Sequence, residues 1–226
     1  MKTASVFTVA AIAGTVSAGF DLQVTEIWPG NDPGANLTED WFEITNFGTS
    51  DFTFGVDGHL FFDDESADWE AADILEGVGT IAAGETVVFI DEGQAAAGAW
   101  FDLWFDIASD VPGENGVPQV GWYDGSGLGG GGDAVALFLD ADTTLDPGSV
   151  AFEVEAYPEA DPFGGQSWDV VLGAFSTVGN ASGAFATDAV NDVGQPAIGS
   201  PGSVVPAPGA AALLGLGGLI AVRRRR

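Results

Sequence analysis

The sequence predicts an all-β fold, a sandwich or a barrel, with one short helix. Three observations carry this. Glycine is abundant, 34 of 226 residues, and it favours turns over long helices. Six segments have strand patterning: "DLQVTEIW", "WFEITNFG", "GHLFFDD", "GETVVFIDE", "DAVALFLD" and "SVAFEVEAY". Turn clusters separate them, among them "PGNDPG", "NFGTSD", "GGGGD" and "DPG".

The first two strands, from Asp21 and from Trp41, flank a Pro- and Gly-rich turn. The third begins beside a Gly turn at His59, and the fourth follows Gly84. Next comes the one stretch that breaks the β pattern. Ala96, Trp100, Leu103, Trp104 and Ile107 recur near helical spacing, which predicts a helix from about Gln94 to Asp106. A long loop from Ala108 to Gly132 is expected after it, with "GLGGGGD" as a flexible connection. "DAVALFLD" is apolar on both faces, as a central strand would be. In "SVAFEVEAY", Val150, Phe152, Val154 and Ala156 face one way and Ser149, Glu153 and Glu155 the other. After Trp168 the chain is rich in Ala, Ser and Gly, and one or two weak strands are expected before a linker.

Charge is distributed in an unusual way. The chain has 34 Asp and Glu, five Lys and Arg, one His and a net charge of −29. The five cations are Lys2 and Arg223, Arg224, Arg225 and Arg226, so the span between them holds every acid and no Lys or Arg. Repulsion there has to be relieved by dispersion, salt screening or bound cations. Nucleic acid is excluded as a partner of that span, because phosphate contacts need Lys or Arg. The absence of Cys excludes disulfides, thiolate metal sites and Cys nucleophiles.

The cations mark the two ends as addresses. Residues 1–18 read as a signal peptide: Lys2, an apolar run from Val6 to Val16, then the small residues Val16-Ser17-Ala18, with cleavage by signal peptidase expected between Ala18 and Gly19. Pro208 to Val222 is uncharged and apolar. As a helix it would reach about 22 Å, short of the roughly 30 Å hydrocarbon core. The arginines that follow would stay cytoplasmic, with the preceding chain outside. This describes a transient inner-membrane anchor.

That order of parts resembles the PEP-CTERM sorting signal of Gram-negative bacteria. Val205, Pro206, Ala207 and Pro208 stand at its V-P-E-P motif, Ala207 replacing the usual Glu, and Arg223–Arg226 form its basic cluster. The resemblance implies a sorting segment over 203–226 and a short transmembrane helix. It implies processing by an exosortase and delivery to the cell surface or an exopolysaccharide matrix.

The span between resembles the lamin tail domain family. Seven segments follow that family's order: "LQVTEIWPG" with Glu26; "EDWFEITNFG" with Asp40, Trp41, Glu43 and Asn46; "GHLFFDDE"; "TIAAGETVVFIDE"; "AWFDLWFD"; "GGDAVALFLDADTTLDPGSVAF"; and "GGQSW" with Gly165, Ser167 and Trp168. "GSPGSV" echoes the family's closing motif, with Val204 and Val205 near the expected Asn. The resemblance covers 19–202. It implies an immunoglobulin-like β-sandwich, an extracellular module with a structural or adhesive role, no catalytic residues and no required cofactor. It gives Trp41 a packing role and Asn46 a turn-shaping one.

Two further chemistries fit the residues. A Ca²⁺-dependent glycan- or protein-binding module would use "DADTTLD", where Asp140, Asp142, Thr144 and Asp146 alternate as in the first half of a Ca²⁺ loop. Leu145 and Ala151 stand where an EF-hand has Gly and Glu, and an acidic β-turn is the simpler expectation there. Trp122 and Tyr123, read as exposed loop aromatics, would offer flat rings to a sugar. A hydrolase would need two of the acids a suitable distance apart in a cleft. A Ser-His-Asp triad would have to use His59, whose place at a strand start reads as surface.

Overall fold

The computed structural model describes residues 19–30, 37–105, 110–114, 116–160 and 164–203. The signal peptide, the sorting segment from 204, Asp106 and Ile107 lie outside the described residues. In chain order the elements are β1 (Leu22–Trp28), β2 (Trp41–Asn46), β3 (Phe52–Thr53), β4 (His59–Asp63), β5 (Asp73–Ile74), β6 (Thr80–Ile81), β7 (Thr86–Ile90), α1 (Gly93–Trp104), β8 (Gln119–Trp122), β9 (Asp133–Asp140), β10 (Glu153–Tyr157), β11 (Trp168–Asp169), β12 (Ala174–Phe175), β13 (Phe185–Val190) and β14 (Pro196–Gly199). The fold is all-β with one short helix, and among the described residues no helix is long and apolar enough to cross a membrane.

A six-stranded sheet runs β12-β11-β1-β2-β7-β8 and a four-stranded sheet runs β10-β9-β4-β5. The main core lies between them. Leu22, Val24, Phe42, Ile44, Val87 and Phe89 from the first sheet meet Leu60, Phe62, Val135 and Leu137 from the second. β9 takes the central position that its two apolar faces predict. Its other face, with Phe61 of β4, is covered by Trp69, Ile74 and Leu145.

The outer face of the six-stranded sheet is also buried, and the helix explains why. β7 and β8 pair in parallel, the other sheet contacts being antiparallel. Parallel neighbours cannot be joined by a tight turn and need a crossover. α1 supplies it, and lays Ala97, Trp100, Phe101 and Trp104 on Trp28, Trp41, Val88 and Ile90. Trp28 and Trp41 stack at 6.0 Å with their rings 9° apart. Trp104 meets both edge-on, at 84° and 82°.

Several local expectations are corrected. The helix starts one residue early, at Gly93, and ends at Trp104, where Phe105 turns to extended backbone. The expected long loop contains β8, because residues 119–122 have a sheet edge to join next to β7. Tyr123 is therefore buried in the core, and Trp122 packs against the helix side of the sheet instead of standing free in a loop. The alternation of "SVAFEVEAY" is real, but its apolar side faces outward. Val150, Phe152 and Val154 are exposed, while Glu153 and Glu155 are half-buried and burial pushes both carboxyls up. β10 is an edge strand, and Glu153 turns toward β1, where it takes the Val24 amide. The region after Trp168 completes β11 and forms three further strands, β12, β13 and β14, not one or two.

Asn46 fastens the turn after β2, as its position in the motif implied. Its Oδ1 accepts the Asp21 and Gly48 amides, each at 3.0 Å, and its Nδ2 donates to the Ser50 and Ile81 carbonyls at 2.9 and 3.0 Å. Asn46→Ala would leave four backbone groups without this partner. The expected loss is about 3 kcal/mol, since each buried unsatisfied group costs about 1–3 kcal/mol. A urea unfolding midpoint unchanged from wild type would refute it.

Candidate functional site

With no Lys or Arg between residues 19 and 203, every carboxylate there needs another partner. Backbone amides and hydroxyls serve, and the result is two acidic clusters.

The first grows from a β-bulge. The β1–β2 register runs Val24↔Ile44 and then Glu26↔Glu43, so Thr25 is the extra residue. A bulge of this kind re-aims side chains locally. Thr25 and Glu26 both point into the buried outer side, beside Glu43. Glu26 and Glu43 are directly paired across the strands, and on the other side Glu26 pairs with Asp169 of β11. Three carboxylates thus line up across three strands, each no more than 2 % exposed.

Their partners are all donors of neutral groups. Glu26 Oε1 accepts the Ser200 amide at 2.8 Å and the Ser167 hydroxyl, and its Oε2 accepts the Ser200 hydroxyl at 3.1 Å. Glu43 Oε1 accepts the Thr25 hydroxyl at 2.6 Å, and its Oε2 accepts the Gly202 amide at 2.7 Å. Thr25, Thr45 and Thr86 continue as a hydroxyl chain at 3.0 and 2.9 Å. Asp169 accepts the Ser182 hydroxyl at 2.5 Å and the Leu172 amide at 2.9 Å. Burial pushes Glu26 up to about 7, against the hydrogen bonds from Ser167 and Ser200 that favour its charge. Burial, and then the charge of Glu26, push Glu43 well above the carboxylate range. Near neutral pH the pair therefore holds protons.

Gly199 closes the cluster. A Cβ there would stand 3.1 Å from Glu26 Oε1, 3.1 Å from the Trp104 ring and 3.2 Å from Ser167 Oγ. The bare backbone of Gly199 thus approaches the carboxylate more closely than a side chain would allow.

The second cluster lies where β2, β5 and β7 meet the loop after β8. Asp40 accepts the Leu128 amide at 2.5 Å, Asp73 the Ser126 amide at 3.1 Å and Asp133 the Gly129 amide at 2.7 Å. Asp91 reaches the Gly125 amide at 3.4 Å. The glycine-rich stretch expected as a flexible connection is thus tied down at Leu128 by Asp40 and at Gly129 by its own Asp133, and the two residues before it, Gly125 and Ser126, by Asp91 and Asp73. Glycine is needed for this approach: a Cβ on Gly127 would stand 2.8 Å from Asp40 Oδ2, and one on Gly125 would collide with the Asp73 carboxylate. Burial pushes Asp40 up to about 7, the Asp91 charge adding to it, and burial also raises Asp73 and Asp91.

The candidate Ca²⁺ residues lie apart from both clusters. Asp140 ends β9, and Asp142, Thr144 and Asp146 follow on the exposed turn after it. Asp140 Oδ1 accepts the Asp142 amide and Oδ2 the Asp146 amide, both at 3.1 Å, and these amides hold its carboxyl below the usual range. The turn is organised around Asp140. Among the described residues, no group of three or more His, Cys, Asp or Glu is placed to hold a metal ion. His59 begins β4 directly opposite Asp140.

The residues that sequence reasoning missed are those of the C-terminal segment, Ser200 and Gly202, together with Ser176, Ser182 and Asp169. Their partners are more than a hundred residues away for Ser200 and Gly202, so no local pattern marks them. The available signal was the motif itself: Glu26 and Glu43 belong to the quoted segments, on two consecutive predicted strands that the structure pairs. No protein-family model, curated protein or solved structure matches this chain.

Proposed function

We propose that this chain is an exported, non-catalytic protein of the cell surface or extracellular matrix, built on an immunoglobulin-like, lamin-tail-like β-sandwich with a structural or adhesive role. A signal peptide over 1–18 carries it out of the cytoplasm. An exosortase then processes the segment over 203–226, after a transient stay in the inner membrane, and exopolysaccharide or surface proteins are its partners.

The observation that supports the reading best is how the motif residues spend their hydrogen bonds. Glu26, Glu43 and Asn46 direct theirs inward, to hold strands, a turn and the C-terminal segment, and Trp41 is fully buried. The Glu26–Glu43 pair is buried and spends its oxygens on amides and hydroxyls of the fold itself, so it is not arranged to meet a substrate as a two-carboxylate hydrolase would require. The deciding experiment expresses the full chain in a Gram-negative host with and without an exosortase. Mass spectrometry of the surface and matrix fractions should find a protein that begins at Gly19 and, only with the exosortase, lacks Arg223–Arg226. A cytoplasmic chain with Lys2 intact would refute the reading.

Ionic strength tests the calcium alternative. NaCl should raise the melting temperature of the secreted domain by screening its acids. CaCl2 at matched ionic strength should do no more, because Asp140 already spends both oxygens on amides. A clearly larger shift with Ca²⁺ would establish specific sites by linkage, and Asp140→Asn should then abolish it.

A further inference from the structure

β14 is held by ordinary backbone pairing. Ile198 donates to the Gly165 carbonyl at 2.7 Å, and its own carbonyl accepts the Ser167 amide at 3.0 Å. Beyond Gly199 this changes. Ser200 donates its amide and hydroxyl to Glu26, and Gly202 donates its amide to Glu43. Ser203 donates its amide back to the Ser200 carbonyl within the turn, at 2.9 Å. The last described residues are therefore fastened to the body of the fold through the two buried carboxylates, a few positions before Val205.

We propose that the Glu26–Glu43 pair is a proton-dependent latch on Ser200–Ser203: closed while the pair retains a proton, and open once both carboxylates are ionised. Two adjacent carboxylates at 2 % and 1 % exposure cannot both carry charge at low cost, since burial and mutual repulsion act in the same direction. The groups facing them offer no relief. β11 contributes the like charge of Asp169, and α1 contributes Trp104. β7 contributes Thr86 through the hydroxyl chain, and Glu85 borders the hollow where Gly202 sits. The remaining polar neighbours are the hydroxyls of Thr25, Ser167, Ser176 and Ser200. No cation is among them.

When the second proton leaves, the relief available is water, and beyond Gly199, the last residue of β14, the cover over the pair is the unpaired Ser200–Ser203 segment. Displacing that segment hydrates both carboxylates and leaves the two sheets intact. The chain next to the sorting segment would then be free at alkaline pH and tethered at mildly acidic pH. Its bearing on processing rests on the export reading above, whereas the latch itself does not.

Hydrogen exchange of the full chain, expressed as protection factors from pH 6 to pH 9, tests it. Protection at Ser200 and Gly202 should fall at least tenfold while β2 and β7 keep theirs. Glu43→Gln keeps an oxygen for the Gly202 amide and removes the second ionisation, so its protection should not vary with pH. Constant wild-type protection to pH 9, or a loss in step with β2 and β7, would overturn the latch. Should the variant not fold, the wild-type series decides alone. An unprocessed C-terminus with the pH dependence intact would sink the export reading and spare the latch.

Discussion

Thermal unfolding of the domain over residues 19–203 is expected to give a higher melting temperature at pH 5 than at pH 8 at the same ionic strength. Glu26 and Asp40 are both pushed to about 7 in the folded state, from ordinary values of 4.5 and 3.8. A raised folded value means that the folded state binds the proton more tightly than the unfolded chain. The stability this adds is full below the unfolded value, and it is lost as pH rises through the folded one. For these groups the window runs from about pH 4 to about pH 8. At 1.36 kcal/mol per unit, each contributes on the order of 3 kcal/mol across it. Glu43, raised further, extends the decline into alkaline pH. Below about pH 4 the trend should reverse, because Asp140, held low by its amides, loses its contribution as it protonates. A melting temperature that rises from pH 5 to pH 8 would overturn this account. Glu26→Gln should flatten the curve without lowering its acid end.

The second large effect is at Trp41. Its ring is fully buried, stacked on Trp28 and met edge-on by Trp100 and Trp104. The four indole N–H groups have no hydrogen-bond partner among the described residues, so buried area and ring packing supply the stability of this cluster. Trp41→Ala is expected to cost about 3–5 kcal/mol, the transfer free energy plus the cavity left behind. It also removes the surface on which α1 rests, so the helix should lose exchange protection before the strands do. Trp41→Phe should cost less and reduce the near-ultraviolet circular dichroism of the coupled indoles. A Trp41→Ala protein as stable as wild type would mean that the helix is held elsewhere.

Much of the architecture was legible in the chain. All six patterned segments are strands, and the Ala- and Trp-rich stretch is the helix. Period and turn chemistry are local properties, and they survive folding. The errors came where a local pattern had two tertiary solutions. "SVAFEVEAY" alternates, but alternation does not say which side faces the core, and an edge position let the valines face out while Glu153 took the Val24 amide of β1. "GLGGGGD" looked loose because glycine is locally unconstrained, but distant Asp40 takes the Leu128 amide, Asp73 and Asp91 take the Ser126 and Gly125 amides just before it, and its own Asp133 takes the Gly129 amide.

The sequence by itself determined the β class, the helix and the confinement of every Lys and Arg to the ends, since these follow from residue type and spacing. The tertiary structure alone decided what the acids do. A carboxylate with no cation in reach takes whichever amide or hydroxyl the fold brings to it. Only closure of the sheets sets Glu26 against Glu43, lowers Gly199 over them and hands them the amides of Ser200 and Gly202.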